Sequence, residues 1–144
     1  MTHLPKKKRV ILLISLGVLL MAIIVALAIV YTVTTLTYDR TMNSYLSPYG
    51  EAAVAYLQAN EDFAEEFGEA TLYVENYSYA FNTPGKYSRL SLAPRPPATA
   101  EEFVSELAYL TVSVHFSGLY TVHVTYEPTP SGYLEITGWE NANE

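Results

Sequence analysis

The alternation of apolar and polar positions changes character several times along the chain. From Val10 to Tyr31 it does not alternate at all: VILLISLGVLLMAIIVALAIVY is twenty-two residues without a charge. As a helix at 1.5 Å per residue this run spans roughly 33 Å, enough for a hydrocarbon core of about 30 Å. A helix that is apolar on every side suits lipid rather than the edge of a small core. Residues 10–31 are therefore expected to be a transmembrane helix, preceded by a basic tail over residues 1–9. The Thr-rich stretch 32–43 follows and is expected as a short tether to a domain over residues 44–144.

In that domain, Ser47-Pro48 offers an N-cap and a proline at the first helical position. Val54 and Leu57, with Tyr49, Ala53 and Tyr56, then fall at helical spacing. Asn60 is placed to cap a second, short helix, EDFAEEF, whose early acids suit a helix N-terminus and whose Gly68 suits its end. From Ala70 to Phe81 the period becomes two. Leu72 and Val74 fall on one side, and Tyr73, Tyr77, Tyr79 and Phe81 on the other. Asn82-Thr-Pro-Gly reads as a turn, with Tyr87–Leu92 as the partner strand of a hairpin. After the proline loop Ala93–Pro97, Thr99-Ala-Glu-Glu102 has the form of a capping box opening a helix that carries Phe103, Val104, Leu107 and Leu110. Strands are expected over 111–117, 119–126 and 133–139. The fold class is α+β: a single N-terminal transmembrane helix, then one small domain with an antiparallel sheet and two to three helices.

Charge sharpens this picture. Lys6, Lys7, Lys8 and Arg9 precede the apolar run, and such a cluster is retained on the cytoplasmic side. The expected location is the cell membrane, single-pass, with the N-terminus cytoplasmic and the domain outside. A cleaved signal peptide is the competing reading, since Ala26-Leu27-Ala28 has the form of a cleavage site. The apolar run is long for that role and continues through Ile29, Val30 and Tyr31, which favours an uncleaved signal-anchor. Beyond the run stand four basic and fifteen acidic residues, a net of −11. So acidic a domain is not built for nucleic acid or anionic headgroups. The chain has no cysteine, which removes disulfides, thiolate metal sites and thiol nucleophiles together.

The segment TVSVHFSGLYTVHVTY, residues 111–126, alternates on both sides of Ser117-Gly118. One buried face requires Val112, Val114 and Phe116 to share a side with Tyr120, Val122 and Val124. That register pairs Phe116 with Tyr120, Val114 with Val122 and Val112 with Val124. It sets His115 opposite Thr121 and His123 opposite Ser113. The two histidines become diagonal neighbours, with Cα atoms about 7–8 Å apart. They are the candidate metal or pH-responsive pair. A structural zinc needs about four ligands and a catalytic one about three. Only Glu135, on the last strand, offers a further donor, and only if that strand lies adjacent. The expectation is that both histidines face water and that no metal or other cofactor is held.

No G-x-S-x-G or S-x-x-K context frames a serine, and no glycine-rich loop cradles a phosphate. Glu65-Glu66 and Glu101-Glu102 are adjacent on helices and diverge. No catalytic residue is identified. The thirteen tyrosines are the compositional oddity. Tyrosine joins apolar area to a polar tip and is enriched at interfaces, so Tyr73, Tyr77, Tyr79 and Phe81 are the candidate interface.

The order of basic N-terminus, single anchor and a helix ending YLQANEDFAEEFG resembles the cytochrome c oxidase assembly factor one family and its bacterial relatives. The hairpin pattern V-x-V-x-F-x-G followed by T-V-x-V and a terminal aromatic strand, over Val112 to Trp139, is similar as well. The likeness covers about half of the part beyond the anchor; the stretch Glu69 to Leu110 departs from it. It implies an anchored assembly or binding domain, with no catalytic residue to carry over. The expected role is a non-catalytic, membrane-anchored interaction or assembly module with a membrane or envelope protein as partner. The alternative is a ligand-, metal- or pH-sensing domain.

Overall fold

The computed structural model describes residues 5–116 and 120–142. Its dominant element is α1, Lys6–Ala59, a single helix of 54 residues. At 1.5 Å per residue it is roughly 80 Å long. Its first half is exposed all round: every large apolar side chain from Val10 to Leu36 lies open. Within this half the threonines return their hydroxyls to the helix, Thr32 to the Ala28 carbonyl and Thr34 to that of Val30. A threonine bonded in this way exposes no unsatisfied polar group to lipid.

The second half carries one buried stripe, Thr35, Tyr38, Met42, Leu46, Gly50, Ala53 and Leu57, spaced by three or four residues throughout. This stripe corrects the expected tether. Residues 32–43 are helix, and Tyr38 and Met42 already belong to the core. Ser47-Pro48 is not a helix start either: Pro48 lies inside α1. An interior proline loses a backbone hydrogen bond and costs about 3 kcal/mol in an isolated helix. Here Leu46 before it and Gly50 and Ala53 after it remain in phase on the same covered face, and their packing outweighs that loss.

Helix α2, Glu61–Phe67, forms as its caps predict: the Asn60 side chain accepts from the Phe63 amide, and Gly68 ends the helix at φ 70°. Helix α3, Ala100–Glu106, is also capped as expected, with the Glu102 amide donating to Thr99 Oγ1. It is shorter than its periodicity suggested. Leu107 and Leu110 belong to a strand: Leu110 alternates with Val112, Val114 and Phe116, and a register shift between Ala80 and Phe81 sets Leu107 opposite Phe81.

Four strands, β1 (Tyr73–Phe81), β2 (Leu107–Phe116), β3 (Tyr120–Pro128) and β4 (Leu134–Asn141), form one antiparallel sheet in the order β1-β2-β3-β4. The register deduced from burial is the one observed: Phe116 faces Tyr120, Val114 faces Val122 and Val112 faces Val124. The loop 117–119 expected between them lies outside the described residues. The expected hairpin of 70–81 with 87–92 does not form. β1 pairs with β2 instead, and Tyr87–Leu92 run in a long connection, residues 82–99, that folds along α1.

A bulge corrects the faces assigned to β1. The pairing shifts between Val74 and Asn76, leaving Glu75 as the extra residue. Val74 therefore joins Tyr77, Tyr79 and Phe81 on the covered side, opposite Val114, Val112, Leu110 and Leu107, while Tyr73 falls on the open side opposite His115. The hairpin with two apolar faces disappears as a problem. One face of the sheet is covered by the second half of α1 with α2 and α3. The other is open and polar.

Candidate functional site

Two regions concentrate polar chemistry, and they lie on different sides of β1. The first is a groove of about 550 Å³ where α1 passes the free edge of the sheet. Helix residues Tyr38, Asp39, Met42, Asn43 and Leu46 form one wall. Val74, Tyr77 and Tyr79 of β1 form the other. Arg89 closes one end, its guanidinium forked onto Asp39 with bonds of 2.8 and 3.1 Å to the two carboxylate oxygens. The Arg89 bond holds the Asp39 carboxyl below its ordinary range. Tyr38 donates to the Tyr87 carbonyl at 2.7 Å, and burial, then the neighbouring Tyr79, push its phenol up to about 12. The phenol is thus neutral and serves as a fixed donor.

The long connection 82–99 is also tied to α3 and to α1 at further points. Lys86 pairs with Glu106 at 2.9 Å, and the Tyr87 hydroxyl donates to Glu102. That hydroxyl, together with the Ala98 amide, draws the Glu102 carboxyl below its usual range. Tyr45 donates to the Pro97 carbonyl at 2.7 Å.

The second region is the open face. His115 Nδ1 stands 3.1 Å from Thr121 Oγ1, whose hydroxyl donates to Glu75 Oε2 at 3.3 Å. A hydroxyl has one proton. If Thr121 gives it to Glu75, the contact with His115 requires the proton to sit on Nδ1. The imidazole is then a donor here and is not placed to draw a proton from Thr121. In a hydrolytic triad the histidine stands between hydroxyl and acid; here the hydroxyl stands between the other two. The Tyr73 ring lies against His115 at 5.2 Å. The His115 side chain retains 18% exposure.

Each site residue proposed from the sequence now has a place. His115 and His123 share the open face, opposite Thr121 and Ser113 respectively. The acid expected near them is a different one: Glu135 pairs with Glu127, while Glu140 faces His123 and Glu75 approaches His115 at 4.0 Å. Among the described residues no group of three or more His, Cys, Asp or Glu gathers around a common point. Of the aromatic set, Tyr73 is exposed on the open face. Tyr77, Tyr79 and Phe81 are half-buried against the core, and Tyr77 and Tyr79 also line the groove.

Sequence reasoning missed Tyr38, Asp39, Arg89 and Glu75. Tyr38 and Met42 stand in phase with Leu46, Ala53 and Leu57, a signal that the Ser-Pro dipeptide obscured. The Asp39–Arg89 pair, fifty residues apart, has no local signature. The domain is held to a membrane anchor and shows no catalytic machinery among the described residues. Comparison with family models, curated proteins and solved structures finds no match to this chain.

Proposed function

We propose that this chain is a non-catalytic interaction or assembly module, anchored with its basic N-terminus cytoplasmic and its domain outside, where it engages a membrane or envelope protein. The observation that carries this reading is the groove beside the free edge of β1. An edge strand offers outward N–H and C=O groups to a further strand. The apolar walls of Tyr38, Met42, Leu46 and Tyr79 would receive alternate side chains of an extended partner segment, as in recognition by strand addition. The resemblance over Leu57–Gly68 and Val112–Trp139 implies the same class of role.

A photo-crosslinker at Asn43 or Asn76, in membranes of the native host, tests the groove. The expected result is one discrete adduct to a membrane protein, common to both positions and missing at Glu65 on α2. Equal labelling at all three positions, or none at 43 and 76, rejects the groove as the docking surface. Protease added to sealed cells tests the orientation, and a protected domain rejects it.

The His115–Thr121–Glu75 contact supports a second reading, a sensor that responds to pH or to a divalent metal. A zinc-dependent rise in melting temperature that is lost in His115→Ala/His123→Ala would favour it over assembly.

A further inference from the structure

The connection 82–99 carries the most exposed leucines among the described residues of the domain. Leu90 is 89% exposed and Leu92 88%. Single exposed leucines are common on soluble surfaces, but these two stand two residues apart in RLSLAPR, and their place in the fold gives them a neighbour.

That place is the foot of the domain. Arg89, directly before Leu90, is bonded to Asp39 of α1, about two turns beyond Tyr31. Tyr31 ends the uninterrupted apolar run. Thr35 is buried, although Val33 and Leu36 within the same turn are exposed apolar side chains. The folded domain and the lipid-facing surface of α1 therefore overlap along the helix, with no spacer between them. From Val10 to Thr35 the helix rises roughly 38 Å, against about 30 Å for the hydrocarbon core and 40–45 Å with headgroups. The foot of the domain must then stand at headgroup level.

Charge follows the same axis. Two of the four basic residues beyond the anchor stand at this end, Arg40 on α1 itself and Arg89 through its bond to Asp39, while Lys86 and Arg95 belong to the same connection. Arg40 and Arg95 are exposed, and Pro94 and Pro97 beside Arg95 are buried, which holds its backbone against the domain. Guanidinium groups suit lipid phosphates, and long basic side chains place their stems in the apolar zone and their heads among the headgroups.

We infer that the Leu90–Leu92 tip inserts into the interfacial zone of the leaflet facing the domain, with arginines beside it at the phosphates, so that the domain is held to the bilayer at a second point besides α1. The occupant of this apolar surface is the phospholipid bilayer that the chain itself spans.

The chain has no cysteine, so single labels are clean. The full chain with Leu92→Cys carries an environment-sensitive fluorophore and is reconstituted in phosphatidylcholine vesicles. Glu65→Cys, on α2 beyond the far end of α1, serves as the water-exposed reference. The expected result is a blue-shifted label at 92, quenched by nitroxides on the upper acyl chain and shielded from an aqueous quencher, with the reverse at 65. In a third form, Ser91→Cys with Leu90→Asp and Leu92→Asp, lipid quenching should be lost. These positions lie outside the core, and unchanged Trp139 fluorescence confirms the fold. Aqueous quenching at 92 equal to that at 65 overturns the inference. A label at 92 shielded from water but untouched by lipid nitroxides also overturns it, since protein would then be the cover. Retained lipid quenching in the double-aspartate form overturns the role of the leucines.

Discussion

The two faces of the sheet are built from the same strands and share nothing else. On the covered face Val112, Val114, Val122 and Val124 are completely buried and meet the stripe of α1 and the aromatic group of Phe63, Phe67, Phe116 and Trp139. On the open face Tyr73, Thr111, His115, Thr121, His123 and Thr125 remain at least partly accessible. The difference teaches that the core and the histidine network are separated here by the thickness of one sheet. Damage to one face should therefore be severe and to the other slight.

The sharpest contrast comes from placing a carboxylate on each face. Val114→Asp buries an unpaired charge among side chains that cannot solvate it, and the domain is expected not to fold, since such burial costs several kcal/mol or more. Thr121→Asp, on the neighbouring strand but the open face, is expected to cost about 1 kcal/mol or less. Chemical denaturation in mild detergent, followed by fluorescence of the single tryptophan, Trp139, checks both. Equal losses would erase the contrast.

A substitution at the α1–β1 contact comes next in size. A Cβ on Gly50 would collide with the Tyr77 hydroxyl and press on Val74. Gly50→Leu should cost about 1–3 kcal/mol, as overpacking usually does, and should widen the groove. The same denaturation experiment measures it. No loss would mean that α1 and β1 are not in this close contact.

Acid should act on the covered side, through the ties of the long connection. Asp39 is held below its ordinary 3.8 by the bond from Arg89, and Glu102 below its ordinary 4.5 by the Tyr87 hydroxyl. A carboxylate depressed by folding contributes stability that is complete above its unfolded pKa and is lost as pH falls through its folded value. The ties are therefore expected intact above about pH 5 and loosening below about pH 4. Both carboxylates are solvent-screened, so the effect should be local and small. Amide-exchange protection over residues 86–92, taken relative to the intrinsic rate at each pH, should fall on acidification before that of the sheet amides does. Simultaneous loss of both would show that the connection is not an independently tied segment.

The smallest effect belongs to the histidines. His115→Ala/His123→Ala should shift stability by about 0.5 kcal/mol or less, as open-face substitutions usually do. A loss comparable with that of Gly50→Leu would show that the His115–Thr121–Glu75 contact supports the fold.

Much of this was determined along the chain itself. A charge-free run of twenty-two residues specified the apolar helix. Asn60 and Thr99 specified their helix starts, because a cap is a bond between residues two or three apart. The β2–β3 register followed from the alternation of valines, since a slip by one residue would have exposed every one of them.

What only the tertiary structure decided were relations between distant segments. Whether Pro48 begins a helix or interrupts one depends on whether Tyr38, Met42 and Leu46 have a sheet to cover, and that sheet begins 27 positions beyond Leu46 and ends at Asn141. Whether Tyr87–Leu92 pairs with β1 depends on the competing β2, whose Val112 and Val114 offer β1 a fully buried partner that a polar, proline-flanked segment cannot match. The bulge at Glu75 belongs to that same β1–β2 pairing. It turns Val74 inward and leaves Tyr73 and Glu75 beside His115. Local propensity acts through neighbours in sequence, whereas burial acts through whatever the fold brings near. The groove, the Asp39–Arg89 fork and the open-face network all belong to the second kind.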